Sequence, residues 1–95
     1  MDFEWDSAKE RINLQKHGVS FARAAETFRD PNGIRLKDTQ HSKGEERFLW
    51  VGRDADGNLL TTRFTMRGAR IRIIGCANWR KFRRYYYEAN KKAAV

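Results

Sequence analysis

The spacing of apolar residues changes twice along this chain, and any fold it adopts must respect both changes. Phe21, Ala24, Ala25 and Phe28 recur at i, i+3, i+4 and i+7, the spacing of one buried helical face. From Ile34 the period drops to two, as Ile34 and Leu36 alternate with Arg35 and Lys37, and as Ile71 and Ile73 alternate with Arg70 and Arg72. Beyond Asn78 the helical period returns in Trp79, Phe82, Tyr86 and Ala89. The first change falls on Asp30-Pro31-Asn32-Gly33, where proline cannot continue a helix and Asn-Gly favours a turn. Helices first, strands second and a helix last, in 95 residues, leave room for one core, so the expected fold is α+β over residues 1–95 as a single domain.

Local signals sharpen this. Phe3 to Trp5 suits a short strand, and Asp6 or Ser7 can cap a first helix, Ser7 with Glu10 having capping-box spacing. Gly18 ends that helix and Ser20 caps a second, which predicts an N-terminal helical hairpin. Ile34 to Lys37 reads as a strand and residues 38–44 as a polar loop. Arg47 to Arg53 and Leu59 to Met66 flank the turn Asp54-Ala55-Asp56-Gly57, and Arg67-Gly68-Ala69 turns into a strand from Arg70 to Ile74 that Gly75 ends. The expected sheet is an antiparallel meander of three or four strands, with the closing helix packed on it.

Charge is unevenly placed. Residues 1–62 hold ten Lys and Arg against eleven Asp and Glu, a net of −1, whereas residues 63–95 hold ten Lys and Arg against Glu88 alone, a net of +9. Seven of those ten are Arg63, Arg67, Arg70, Arg72, Arg80, Arg83 and Arg84. Their planar forks match phosphate oxygens, and acids that would pair them are missing from this stretch, so a polyanion, RNA above all, is the expected partner. Tyr85, Tyr86 and Tyr87 interleave with this charge, as stacking on unpaired bases requires; Tyr86 fits the core, leaving Tyr87 and Tyr85 for nucleic acid.

Other chemistry is sparse. One cysteine, Cys76, permits no intrachain disulfide, and with His17 and His41 it falls short of a zinc-ligand spacing, so neither metal nor cofactor is expected. Acids at the N-terminus and the absence of a long apolar run point to the cytoplasm, with no membrane partner. His41, in a polar loop ahead of a strand, has the chemistry of a general base or acid, although a solvated histidine without a task is the commoner reading of such surroundings. His17 suits the negative end of the first helix. No phosphate-cradling glycine loop, nucleophile elbow or helical metal pair is present.

Phe3-Glu4-Trp5-Asp6, Lys16-His17-Gly18-Val19-Ser20-Phe21, His41-Ser42 followed by Glu45-Glu46-Arg47, and Thr65-Met66-Arg67-Gly68 leading into Ile71-Arg72-Ile73-Ile74 together resemble the BrnT family of toxins from bacterial type II toxin-antitoxin pairs. The resemblance implies a RelE-like fold and growth arrest through metal-independent RNA cleavage. It also implies neutralisation by a BrnA-like antitoxin, contact with operator DNA only through that antitoxin, and a toxin dimer within a heterotetramer. On this reading Arg67, Arg72, Arg80 and Arg84 face the phosphate, Tyr87 stacks or donates a proton, and His41 is the general base. Arg63, Arg70, Lys81, Arg83 and Tyr85 would hold RNA. One departure stands out: where the family commonly reads Ser-Ala-Arg after the last strand, this chain has Gly75-Cys76-Ala77, and Arg80 one turn on is the candidate replacement for the missing arginine. A non-catalytic nucleic-acid-binding or antitoxin-binding module is the alternative.

Overall fold

Asp2–Glu4 forms β1, Ser7–His17 α1 and Phe21–Glu26 α2, followed by a 3₁₀ turn at Thr27–Arg29. Ile34–Lys37 is β2, a second 3₁₀ turn spans Thr39–His41, and β3 (Phe48–Arg53), β4 (Leu59–Arg67), β5 (Arg70–Ala77) and α3 (Arg80–Lys91) complete the chain. This computed structural model describes residues 1–91; Lys92, counted in the basic excess above, lies outside them. The sheet has five strands in the order β1-β5-β4-β3-β2 and is mixed, since β2 to β5 pair antiparallel while β1 lies parallel to β5. Three or four antiparallel strands were expected. The short strand expected near Phe3 is present as β1, but its place in the sheet escapes local pattern because Asp2–Glu4 pairs with Arg70–Arg72, far along the chain.

The helical hairpin is a second correction. α1 and α2 each pack chiefly on β5 instead of pairing as a hairpin. Asp6 caps α1, its Oδ1 accepting from the amides of Ala8 (2.8 Å) and Lys9 (3.3 Å). Glu10 does not reach back to make a capping box; its Oε2 accepts from the Phe21 amide at 2.8 Å and so joins the start of α2 to α1. Gly18 takes the left-handed conformation (φ 70°) that closes α1. The predicted apolar face then splits: Phe21 and Ala24 are buried on α2, whereas Phe28 falls on the 3₁₀ turn and stacks on Trp50 with ring centroids 5.1 Å apart.

Gly75 does not end β5. The strand runs on to Ala77, with Gly75 opposite Arg63 beside an irregularity in the β4 ladder. Past Arg72, β1 no longer covers the strand, and Asn13 of α1 takes over the role of a neighbouring backbone. Its Oδ1 accepts from the Cys76 amide at 3.1 Å, and its Nδ2 donates to the Cys76 carbonyl at 2.8 Å and the Val19 carbonyl at 2.9 Å. Cys76 is buried here, which pushes its thiol up to about 11 and leaves it without thiolate chemistry.

The two faces of the sheet carry separate cores. Phe64, Ile71 and Ile73 meet Val19, Phe21 and Ala24 under α1 and α2, while Val51 and Leu59 meet Tyr86 of α3 over the β2–β3 side. Tyr86 is fixed by its hydroxyl, which donates to Asp30 Oδ2 at 2.8 Å. Asp54, buried at the β3–β4 turn, accepts from Arg23 Nη2 at 2.6 Å and from the amides of Asp56 and Asn58. Burial alone would raise the carboxyls of Asp30 and Asp54, but these hydrogen bonds outweigh it and hold both below the ordinary 3.8. With folded values below unfolded ones, their contribution is complete above pH 3.8 and is lost as pH falls through the folded values. The melting temperature should therefore fall steeply only on acidification below about pH 4. Asp54→Asn, less stable at neutral pH, should show a shallower acid decline; parallel pH profiles of the two proteins would refute the assignment.

Candidate functional site

The 3₁₀ turn after β2 stacks residues three apart, and it sets His41 directly over Asp38. His41 Nδ1 lies 3.0 Å from both oxygens of Asp38. A carboxylate only accepts, so Nδ1 carries the proton and donates, which leaves Nε2 of the neutral ring as a free base. Asp38 is buried, 6% exposed, and receives a second donor, Arg63 Nε of β4, at 2.9 Å. Burial would raise its carboxyl, yet the bonds from His41 and Arg63 hold it below the usual carboxylate range. Its backbone is tied as well: the Asp38 amide donates to the Arg47 carbonyl, and the Ser42 hydroxyl donates to the Asp38 carbonyl at 2.6 Å. The His41 ring itself remains 43% exposed.

Asp38 also forms part of the wall of a groove of about 660 Å³ between the β2 end and the first turns of α3. Lys37, Thr39 and Gln40 continue that wall, Arg80, Lys81, Arg84 and Tyr85 face it, and Leu49 and Phe82 supply apolar surface. Arg84 Nη2 reaches the Tyr85 hydroxyl at 3.2 Å, and its guanidinium lies 4.9 Å from the ring centre. The only carboxylate in this lining is Asp38, already occupied. The groove is a concave cationic surface whose wall includes Asp38, the carboxylate that fixes the tautomer of His41.

The other predicted residues lie elsewhere. On the sheet face that α3 leaves open, Arg72 donates to Glu4 Oε2 at 2.8 Å, Arg70 lies 4.0 Å from Glu4, and Arg67 lies 3.6 Å from Glu45. Acids from the first two-thirds of the chain thus return in space to arginines that look unpaired in sequence. Among the described residues, Arg80, Lys81, Arg83 and Arg84 of α3 have no carboxylate within ion-pair distance. Tyr87 sits beside Arg53 at the far end of β3, where hydrogen bonds from Arg83 and Arg53 lower its phenol below the usual value. Arg53 lies six steps along the strand from Arg47 and its contact with Asp38, about 20 Å at ~3.3 Å per residue, so Tyr87 and His41 do not share one site. Ala77 is buried opposite Thr61, on the side of the sheet that carries Arg63, and Arg80 supplies the positive charge nearest in sequence.

Two residues of the site were outside the sequence-based set. In the sequence Asp38 marks only the start of a loop, and Trp79 only an apolar helical stripe. Trp79 is half-buried, with the Arg63 guanidinium 5.2 Å from its ring centre. No group of three or more His, Cys, Asp or Glu that could hold a metal ion occurs among the described residues, and no helix among them is long and apolar enough to cross a membrane.

Comparisons with known proteins place the fold and the family. The crystal structure of the Brucella abortus ribonuclease toxin BrnT superposes with a TM-score of 0.63 at 20% identity, over 81% of this chain and 94% of that one, and establishes a shared fold. No curated protein matches the chain. The family model described as "Ribonuclease toxin, BrnT, of type II toxin-antitoxin system" matches residues 5–82, from Trp5 to the first turn of α3, and so takes in the Asp38–His41 turn, Arg63 and Arg80. The chain belongs to the BrnT family of ribonuclease toxins of type II toxin-antitoxin systems.

Proposed function

We propose that the protein cleaves single-stranded RNA at the groove between the Asp38–His41 turn and α3, without a metal ion, until a BrnA-like antitoxin occupies that surface. The observation that carries this reading is the buried Asp38 carboxylate, which orients His41 and Arg63 and itself forms part of the wall of a groove lined by cations. In the proposed reaction His41 Nε2 takes the proton of a ribose 2′-hydroxyl, whose oxygen attacks the adjacent phosphorus. The new 2′-oxygen–phosphorus bond replaces the bond to the 5′-oxygen, which leaves with a proton from an acid or solvent, giving a 2′,3′-cyclic phosphate and a 5′-hydroxyl end. Arg63 and Arg80 stabilise charge on the phosphoryl oxygens, Arg84 and Lys81 hold the flanking backbone, and Tyr85 offers a face for a base. Arg80 takes the part of the arginine that Ala77 lacks.

The same cationic groove suits an acidic antitoxin segment, so covering it would both inhibit the toxin and satisfy its charge. Operator DNA would be reached through the antitoxin, and a toxin dimer within a heterotetramer fits the same scheme. The deciding experiment is purified protein with end-labelled RNA in excess chelator. Cleavage yielding cyclic-phosphate ends is expected, and intact RNA under these conditions, with strongly salt-dependent binding, would replace the enzyme by a binding module.

A further inference from the structure

The Lys16-His17-Gly18 motif takes no part in the reaction just described, yet it lies at a second cationic cleft. α1 turns Lys9, Ile12, Asn13 and Lys16 toward the end of β5, at i, i+3, i+4 and i+7, and with His17, Arg63, Ile74, Gly75 and Trp79 they enclose about 210 Å³. Four of these residues are basic and none is acidic. The Asn13 amide is fully engaged with the backbone of Val19 and Cys76, which leaves the cations to meet a ligand. His17 packs edge-on against Trp79 with centroids 5.6 Å apart, and Arg63 lies over the same indole ring. Ile12 is 61% exposed beside the two lysines, an apolar contact next to a charged one.

Arg63 joins the two clefts. Its Nε is bound to Asp38, the residue that orients His41, while its guanidinium also stands over the Trp79 ring in the lining of this cleft. An RNA strand with its scissile phosphate at Arg63 would carry the neighbouring nucleotide off the α3 groove and onto α1. At this size the cleft admits a single unstacked nucleotide and no helical segment.

We propose that the Lys9–Lys16–His17–Trp79 cleft is a nucleotide subsite, in which Lys9 and Lys16 take the phosphate next to the one cleaved and Trp79, His17 and Ile12 receive its sugar and base. This rests on the groove being the cleavage site, but it is a statement about binding and can be tested apart from cleavage. It also extends the RNA path beyond residues 63–95, to lysines that are paired with no carboxylate among the described residues.

The test uses the whole protein with a short 2′-deoxy oligonucleotide, which lacks the attacking hydroxyl, and reads the slope of log affinity against log salt by fluorescence anisotropy. Each single-strand phosphate contact contributes about 0.7 to that slope, so Lys9→Ala with Lys16→Ala, which together hold one phosphate, should lower its magnitude by about 0.7. Arg29→Ala, on the 3₁₀ turn after α2, should leave it unchanged. With cleavable RNA the double variant should raise KM about tenfold at nearly constant kcat, as expected when uniform binding is removed. A minimal dinucleotide confined to the His41 groove should show no such change. An unaltered slope and an unaltered KM would overturn the subsite, as would a loss of affinity for a polyglutamate peptide with oligonucleotide binding intact. If the slope changes as stated but no RNA is cut by any variant or by the wild type, the cleavage reading fails and the subsite stands.

Discussion

Asp38→Asn is expected to reduce RNA cleavage by about a hundredfold or more while leaving RNA binding close to wild type. The substitution keeps shape and volume, and the new amide oxygen can still accept from Arg63. Its NH₂ group, however, would face His41 Nδ1, which presently donates to the carboxylate at 3.0 Å. The ring would then accept at Nδ1 and carry its proton on Nε2, the wrong tautomer for a base acting on a 2′-hydroxyl. His41→Ala should lose at least as much, in the range of about 10²–10⁴ typical of a positioned proton acceptor. The two effects should not add, because both remove the same function. Single-turnover rates at saturating RNA check this: the double variant should be no slower than His41→Ala alone. Wild-type rates in Asp38→Asn would remove Asp38 from the reaction, and a variant that binds RNA less well in proportion would make it a binding residue only.

Most elements of the fold can be read from the chain, because periodicity and turn residues act locally. The Asp54 to Gly57 reversal, the alternation of Ile71 and Ile73 and the Trp79, Phe82 and Tyr86 stripe all appear as elements near their expected bounds. What local pattern does not carry is pairing across the chain. Nothing in Asp2-Phe3-Glu4 says that it will lie parallel to Arg70–Arg72, and Gly75 reads as a terminator because its partner Arg63 and the side-chain cover from Asn13 are distant in sequence. The site is legible to a similar depth. His41 stands out by residue type and the α3 arginines by charge. Asp38 would have required the turn at Thr39–His41 to be recognised as 3₁₀, since only there do i and i+3 eclipse. Counting acids within one segment also misjudges neutralisation, because Glu4 and Glu45 reach Arg70, Arg72 and Arg67 through the fold.

The largest loss of stability is expected from Asn13→Ala, at about 3–4 kcal/mol. Asn13 is only 8% exposed, and its amide satisfies three backbone groups: the Cys76 amide, the Cys76 carbonyl and the Val19 carbonyl. Alanine leaves these without partners where α1 covers the end of β5, and each buried unpaired group costs about 1–3 kcal/mol. Some relaxation or water entry lowers the sum, yet against a net stability of roughly 5–15 kcal/mol for a domain of this kind the loss is severe. Leucine, of similar volume, should do no better, because it fills the space and still offers no hydrogen bond. Asn13→Asp separates the contributions: its carboxylate can accept from the Cys76 amide but repels the two carbonyls, so it too should destabilise, and more so as pH rises above the carboxyl titration. Urea unfolding of the three variants decides the matter. Losses under about 1 kcal/mol would mean that β5 closes against α1 without Asn13, and that packing around Cys76 alone holds the last turn of the strand, from which Trp79 and Arg80 enter the site.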